Sequence, residues 1–319
     1  MVFTDFNKDS KIYIAGHTGL IGSAIVRKLR NDQYRNLITR YHYDLDLKRQ
    51  TDVEAFFKNE KPDYVILAAA RVGGIFANNT YPAEFIYENL MIQNNVIHSS
   101  FLNNVKKLLF FGSACSYPRD CPQPMRERHL LTGIPESTNE PYAVAKIAGI
   151  KMCQSYNKQY GTDYICALLT NAYGINDNFD PDDSHVIPSL IRKFHEAKLG
   201  HKKEVIIWGT GLPRREFIYA DDAADASLFL LKLSDGPNLV NVGSGEEISI
   251  NELAIMVKNI VGFDGKIVFD ESKPDGAPRK VLDGTIMESF KWKAMTSLFE
   301  GIRETYHWYT RHNEGIRGQ

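Results

Sequence analysis

The stretch KIYIAGHTGLIG, residues 11–22, decides the fold of this 319-residue chain. Its first five residues are a mostly apolar run typical of a buried strand, and an amphipathic run follows the glycines. A strand, a tight glycine turn and a helix start form the phosphate-binding opening of a dinucleotide fold. Gly16 and Gly19 would let backbone N–H groups approach a pyrophosphate, and Gly22 would let the helix pack closely on the sheet. The GxxGxxG spacing therefore predicts dinucleotide binding, although many dehydrogenases carry GxGxxG.

Strand-like runs alternate with helical patterns along the first half of the chain. They lie at residues 11–15, 36–40, 64–70, 107–111 and 164–169. This alternation predicts an α/β fold, namely a Rossmann-type doubly wound parallel sheet with helices on both faces. After Leu169 the runs become shorter, and residues 171–184 are polar, as in a loop or lid. We predict a dinucleotide-binding domain over residues 1–170, with a returning segment at about 216–245, and a smaller C-terminal α/β substrate lobe over 171–215 and 246–319.

Tyr142 and Lys146 lie in the stretch NEPYAVAK, residues 139–146, at the start of a predicted helix. Proline in the first turn is typical of a helix start, and residues 138–140 are candidates for its cap. Residues four apart on a helix share a face, and a Lys ammonium beside a phenol favours the phenolate. The pair therefore predicts a tyrosine that donates and accepts protons. Such a pair also occurs by chance, so the prediction depends on the motifs around it.

Two predicted strand ends supply those motifs. Residues 107–111 are typical of a buried strand, and GSACSYP follows at residues 112–118. Ligands in open α/β sheets bind at the carboxyl ends of strands, so Ser113 would point into the crevice. A serine there could instead cap a turn. The strand at residues 64–70 ends in three alanines, which are small enough for a cofactor to approach the backbone.

Composition and charge exclude several classes of function. A formal net charge of −1 at pH 7 argues against nucleic acid as the main partner. No apolar run approaches the roughly 20 residues that span a bilayer, and residues 1–10 show no signal-peptide pattern. The four cysteines have no metal-ligand spacing. We therefore expect no bound metal, no membrane association and a reducing, cytoplasmic setting.

Together these motifs resemble the extended short-chain dehydrogenase/reductase superfamily, and longer stretches look like GDP-L-fucose synthase. These stretches are AAARVGGIFANN (68–79), NEPYAVAKIAG (139–149), SHVIP (184–188) and KPDG (273–276). The resemblance runs from about Lys11 to Gly318. It implies a two-step conversion of GDP-4-keto-6-deoxy-D-mannose to GDP-L-fucose. Epimerisation at C3 and C5 through enolates would precede NADPH-dependent reduction of the C4 ketone.

The resemblance implies roles for five catalytic residues. Tyr142 would be the acid/base, Lys146 would lower its pKa and hold the nicotinamide ribose, and Ser113 would hydrogen-bond the substrate oxygen. Cys115 and His185 would be the acid and the base of the epimerisation, in an order left open. The hydrogens on C3 and C5 are α to the carbonyl, so Ser113 and Tyr142 would stabilise the enolate oxyanion. From the residues alone, a buried inert cysteine and a helix-capping histidine remain alternatives.

The resemblance also implies which residues contact NADPH (NADP+) and the GDP-sugar. The cofactor contacts are Gly16, His17, Thr18, Gly19, Leu20, Ile21, Gly22, Arg40, His42, Ala69, Lys146, Asn171 and His185. The substrate contacts are Lys193, Trp208, Arg215 and Asp275. Arg215 could bind a phosphate bidentately, with Lys193 as a second positive charge. Alternatively, Trp208 could belong to the core and Arg215 to a surface ion pair.

The chain departs from the family pattern at several positions. Thr18 and His42 stand where relatives often carry Arg, and Arg40 could supply the charge for the 2′-phosphate. Leu169 replaces a usual Pro, and Ala114 replaces a Ser. These changes leave open a C4-reductase, with or without epimerase activity, that acts on a related GDP-4-keto sugar such as a heptose. A catalytically silent nucleotide-sensing or scaffold protein on the same fold is a further alternative.

The resemblance implies a homodimer as well. Helices are predicted at Ala83–Asn103 and Tyr142–Tyr160, and this superfamily commonly pairs the equivalent helices of two subunits in a four-helix interface.

Overall fold

The computed structural model describes residues 4–181, 183–273 and 275–312. The described residues form twelve strands, named here in chain order. They are β1 (Ile12–Ala15), β2 (Leu37–Ile38), β3 (Tyr64–Leu67), β4 (Lys107–Ser113), β5 (Tyr164–Leu169), β6 (Asn171–Tyr173), β7 (Glu204–Trp208), β8 (Arg214–Tyr219), β9 (Leu239–Val242), β10 (Glu247–Ser249), β11 (Lys266–Asp270) and β12 (Arg279–Lys280). Six of them form one parallel sheet in the order β2-β1-β3-β4-β5-β9. The predicted doubly wound fold is confirmed.

Ten α-helices accompany these strands in the described residues. They are α1 (Leu20–Asn31), α2 (Gln50–Glu60), α3 (Ile75–Thr80), α4 (Pro82–Leu102), α5 (Glu140–Tyr160), α6 (Val186–Leu199), α7 (Ala220–Lys232), α8 (Ile250–Val261), α9 (Thr285–Ser289) and α10 (Leu298–His312). No helix in the described ranges combines the length and the apolar character needed to cross a membrane.

The parallel sheet is covered by apolar side chains on both faces. Ile12 and Ile14 of β1 pack with α1 and α7 in one core cluster, whereas Tyr13 and Ala15 pack with α2, α4 and α5 in another. All four residues of β1 are buried. Continuous burial of this kind is typical of central parallel strands, which is why the sequence shows apolar runs there instead of alternation.

The remaining strands form two smaller sheets around a third core cluster. One joins β10, β8 and β12, with β6 paired to β8, and the other joins β7 and β11. Helices α6, α8 and α10 contribute the apolar residues beneath them. Residues 171–173 were expected to be loop, but they form β6 because they pair in parallel with residues 217–219 of β8. The chain returns to the large sheet with α7 and β9, and the division into domains stays a prediction.

The parallel direction of the strands brings the predicted site residues to one edge of the sheet. The glycine turn follows β1, the alanines follow β3, and Ser113 ends β4. The carboxyl ends of parallel strands form the crevice where ligands bind in open α/β sheets.

Candidate active site

The glycine turn is shaped by two close backbone contacts. Gly16 has a φ of +83°, and a Cβ on it would lie 2.6 Å from the backbone N of Ala69. A Cβ on Gly22 would lie 2.1 Å from the Gly16 carbonyl oxygen, so the missing side chain lets α1 pack on the turn. Gly19 occupies the N-cap of α1 without a side-chain cap bond. The first N–H groups of α1 therefore remain available to an anion, which fits a dinucleotide pyrophosphate.

The other predicted cofactor residues around this turn differ in their surroundings. Thr18 is half-buried, and Leu20 and Ile21 pack partly buried against the first core cluster. The Nδ1 atom of His17 is buried without a hydrogen-bond partner among the described residues. Across the crevice, the Asn171 amide donates to the Glu216 carbonyl oxygen at 2.9 Å.

The two candidates for the 2′-phosphate contact are not equally available. Arg40 is ion-paired with Glu60, and its guanidinium lies 5.4 Å from the centre of the Phe56 ring. His42 is 76% exposed and lies 3.8 Å from Asp46. A phosphate would have to compete with Glu60 for Arg40, whereas the His42 side chain is open to solvent.

Ser113 and Tyr142 meet at the end of β4. The Ser113 hydroxyl accepts a hydrogen bond from the backbone N–H of Cys115 at 3.2 Å. Tyr142 lies in the first turn of α5, and its ring meets Phe85 edge-on at 6.4 Å. Burial and the charge of Cys115 raise the pKa of Tyr142, whereas the hydrogen bond with Ser113 lowers it. The two hydroxyls lie together, so one substrate oxygen could accept hydrogen bonds from both.

Lys146 is buried one turn further along α5. Its ammonium donates to the Phe111 carbonyl oxygen at 2.9 Å and lies over the rings of Phe110 and Tyr142, at 4.9 Å and 5.8 Å from their centres. Burial lowers the pKa of Lys146 to about 8. Burial of the phenol raises the pKa of Tyr142, and the predicted lowering of that pKa by Lys146 stays a prediction.

Cys115 is half-buried in the turn that follows Ser113, so it is not the buried inert cysteine considered above. Its Sγ accepts a hydrogen bond from the Asn139 side-chain amide at 3.2 Å. Asn139 holds the N-cap position of α5 but makes no side-chain cap bond. An amide donor directed at the sulfur can stabilise negative charge that develops there during proton transfer. The sequence predicts Asn139, three residues before Tyr142, only as a cap candidate, because its cysteine partner depends on the fold.

His185 occupies the N-cap position of α6, and no side-chain cap bond forms. The structure therefore does not support the helix-capping alternative. His185 is exposed, yet desolvation by the protein around the ring lowers the pKa of His185, and the charge of Asp183 opposes that shift. A histidine held in this way can take up or release a proton near neutral pH.

Three cations lie at the predicted nucleotide end of the substrate site. The ammonium groups of Lys193 and Lys273 lie over the Trp208 ring, at 5.9 Å and 5.5 Å from its centre. Trp208 is 65% exposed, so the core alternative for it is wrong. Lys193 and Arg215 form no ion pair with another described residue, which also removes the surface ion-pair alternative for Arg215. Unpaired positive charge of this kind suits a diphosphate.

Arg215 connects the nucleotide end to the cysteine. Burial lowers the pKa of Arg215, and the charges of Asp275 and Cys115 oppose that shift. The guanidinium is thus within electrostatic reach of the sulfur. Asp275 accepts hydrogen bonds from the Thr210 backbone N–H at 3.0 Å and the Thr210 hydroxyl at 2.6 Å. Both of its oxygens hold the turn after Trp208, so its predicted contact with the substrate stays a prediction.

Comparisons with known proteins identify the family to which the chain belongs. The model of the NAD dependent epimerase/dehydratase family matches residues 12–243. GDP-L-fucose synthase 1 of Arabidopsis thaliana is 57% identical over 305 residues, which cover 96% of this chain and 94% of that protein. GDP-L-fucose synthase of Escherichia coli strain K12 is 49% identical over 317 residues, covering 97% and 99%. A solved GDP-mannoheptose C4 reductase from Campylobacter jejuni, with NADP bound, is 46% identical with a TM-score of 0.88, covering 96% and 99%.

Proposed function

Because the chain belongs to the NAD dependent epimerase/dehydratase family and, within it, to the GDP-L-fucose synthases, we propose that it converts GDP-4-keto-6-deoxy-D-mannose to GDP-L-fucose. The conversion comprises epimerisation at C3 and C5 followed by reduction of the C4 ketone. The observation that carries this proposal is the grouping of Ser113, Tyr142 and Cys115 at one strand end, with Asn139 donating to the sulfur. The two hydroxyls of this group can stabilise the oxyanion, and the thiol can exchange a proton with the carbon atom.

The epimerisation uses the acidity of the carbons beside the ketone. One group removes the hydrogen from C3 or C5, and the negative charge moves to O4, where the Ser113 and Tyr142 hydroxyls donate hydrogen bonds. A proton then returns to the opposite face of the same carbon, which inverts it. Cys115 and His185 are the two groups that we assign to these transfers, and their order stays open. The Asn139 side-chain amide donates a hydrogen bond to the Cys115 sulfur and so holds it at the site.

The reduction uses the same oxygen site. Bound NADPH supplies the hydride that C4 accepts. Tyr142 gives its hydroxyl proton to O4, and Ser113 keeps the oxygen in place during that transfer. The buried ammonium of Lys146 has a lowered pKa of about 8. It can therefore donate a proton on the side of the site where the nicotinamide ribose would bind.

The proposed cofactor is NADPH and not NADH. An NADP-bound structure is among the similar proteins, and the open N-terminus of α1 supports a pyrophosphate contact. For the 2′-phosphate we propose His42, with Arg40 contributing if Glu60 releases it.

A second candidate is a C4-reductase on a related GDP-4-keto sugar such as a heptose. The similarity to the GDP-mannoheptose C4 reductase favours it. The residues that we assign to the reduction would act on either sugar. The two candidates therefore differ in whether epimerisation takes place. A dedicated reductase would not exchange the C3 and C5 hydrogens with solvent.

We further propose a homodimer formed through α4 and α5. Large apolar side chains are exposed along both helices, namely Tyr87, Leu102, Val144 and Tyr160. Exposed apolar side chains grouped on one surface are typical of a protein–protein interface. The four free cysteines of the described residues suit the reducing cytoplasmic setting proposed for the enzyme.

The test is incubation with GDP-4-keto-6-deoxy-D-mannose in D₂O, with and without NADPH, followed by NMR of the sugar. We expect deuterium at C3 and C5 without cofactor, and GDP-L-fucose with it. Cys115→Ser should remove the deuterium exchange while NADPH still binds. Reduction without deuterium would show a dedicated 4-reductase, and the absence of any reaction would refute the proposed substrate.

A further inference from the structure

The segment that leads to His185 is anchored to the start of α3 by one carboxylate. The Asp183 Oδ1 atom accepts a hydrogen bond from the Gly74 N–H at 2.8 Å, and the Asp183 carbonyl oxygen accepts from the same N–H at 3.3 Å. A Cβ on Gly73 would lie 2.4 Å from Asp183 Oδ1. The carboxylate therefore fills space that only a glycine leaves free, and it ties together two segments that are distant in sequence.

The backbone on both sides of this anchor is also fixed. The Asp183 N–H donates to Asp180 Oδ1 at 3.0 Å, and the Asn178 amide donates to the Asp183 carbonyl oxygen at 3.4 Å. Side-chain bonds of this type hold loop backbone in one conformation. After His185 the chain enters α6 at once, and the His185 carbonyl oxygen accepts the Ser189 N–H at 3.0 Å. The imidazole thus extends from a short link between a carboxylate anchor and a helix.

Asp183 also contributes to the electrostatics at His185. Desolvation by the protein around the ring lowers the pKa of His185, and the Asp183 charge acts in the opposite direction. Gly73 and Gly74, which contact Asp183 from the start of α3, carry no charge. The anchoring group and the charge that acts on the imidazole therefore belong to one side chain.

We propose that Asp183 is a positioning residue for His185: its bond with Gly74 fixes the backbone that carries the imidazole, and its carboxylate places one negative charge near the ring. This inference rests on the proposed role of His185 as acid or base in the epimerisation. Asp183 need not touch the sugar. A ring that exchanges one proton with a carbon atom requires a fixed orientation and a defined protonation state, and Asp183 supplies both.

Three variants separate the anchor from the charge. Asp183→Asn keeps an oxygen that can accept the Gly74 N–H but removes the charge. Asp183→Ala removes both. Asp180→Asn is the matched control, because it makes the same change three residues earlier and keeps the oxygen that accepts the Asp183 N–H. Thermal unfolding of all three variants verifies that each one folds.

Two readouts distinguish positioning from general stability. The first is the NMR titration of the His185 ring without ligands, with the signal assigned by its loss in His185→Asn. The second is the pH profile of deuterium exchange at C3 and C5 without NADPH. In Asp183→Asn the ring should titrate at lower pH, and the corresponding limb of the exchange profile should move with it. In Asp183→Ala the exchange should also fall at every pH, by about 10²-fold for a displaced group.

The outcomes separate this inference from the proposed function. An unchanged ring titration in Asp183→Asn overturns the effect of the charge, and undiminished exchange in folded Asp183→Ala overturns the positioning role. If the wild-type protein exchanges no deuterium but Asp183→Asn still moves the titration, the proposed epimerisation fails while the coupling of Asp183 to His185 stands. Asp180→Asn should match the wild-type protein in both readouts.

Discussion

Replacing Asn139 by Ala tests whether the amide donor activates Cys115. The substitution removes one N–H···S hydrogen bond of 3.2 Å. Hydrogen bonds to charged groups contribute about 1.5–3 kcal/mol, which corresponds to about 10- to 150-fold in an equilibrium constant. If the amide stabilises the negative charge that develops on the sulfur when Cys115 exchanges a proton with carbon, the rate of C3 and C5 deuterium exchange should fall by a factor in that range.

The same substitution should leave the stability of the fold almost unchanged. The Asn139 side chain makes no cap bond to α5. Replacing it by alanine therefore avoids the cost of about 1 kcal/mol that accompanies the loss of an N-cap bond. Its Oδ1 atom is buried without a hydrogen-bond partner among the described residues, so removing it leaves no new unpaired group. The effect on Cys115 can therefore be measured without the complication of unfolding.

Alkylation by iodoacetamide at pH 7, followed by mass spectrometry, measures the reactivity of Cys115. The other three cysteines are buried and serve as internal references. Asn139→Asp has the same size but sets a carboxylate beside the sulfur, so it should slow alkylation further than Asn139→Ala. Ser137→Ala, in the same short turn, is the control and should react like the wild-type protein. If Asn139→Ala is alkylated and exchanges deuterium at the wild-type rate, the proposed activation of Cys115 is refuted.

Three further predictions follow from the cofactor and phosphate ends of the site. Gly22→Ala sets a Cβ 2.1 Å from the Gly16 carbonyl oxygen and should weaken NADPH binding in a fluorescence titration; Gly19→Ala, with 3.6 Å to the same atom, should fold normally in a thermal melt. The pKa of Lys146 falls from 10.5 to about 8 on folding, so the unfolded state binds more protons between these values and the free energy of unfolding should rise with pH in that window. Lys146→Met should lack this rise in denaturant titrations, and an identical pH dependence would contradict the buried ammonium. Arg215→Lys keeps the charge but loses the bidentate fork, so KM for the GDP-sugar should rise about tenfold with an unchanged melting temperature; an unchanged KM would exclude the phosphate contact.

The sequence was sufficient for the parts of the fold that depend on local pattern. The buried strands β1, β3, β4 and β5 are apolar runs because the central strands of a parallel sheet have no solvent-facing side. Gly22 could be assigned to helix packing because only a residue without a Cβ fits that approach. The resemblance to the GDP-L-fucose synthases, drawn from four short stretches, is confirmed by relatives that match nearly the whole chain.

The contacts that tune the site could not be predicted, because they join residues whose separation along the chain carries no pattern. Asn139 and Cys115 are 24 residues apart, and Gly74 and Asp183 are 109 apart. Each contact depends on how a loop enters a helix, and a cap candidate or an acidic loop residue has many possible partners. The direction of the Tyr142 pKa shift could not be predicted from the sequence either.

Helical spacing correctly placed Lys146 near the Tyr142 ring, but the sign of the pKa shift depends on burial, which spacing does not reveal. The same burial lowers the pKa of the lysine, so both members of the pair are shifted toward their neutral forms. A bound substrate or cofactor would place further charge near Tyr142 and so change its pKa. Proton transfer by Tyr142 therefore depends on the complete complex. The hydroxyls of Ser113 and Tyr142 and the sulfur of Cys115 already lie together. The binding of substrate and cofactor must therefore change the protonation of these groups and not their arrangement.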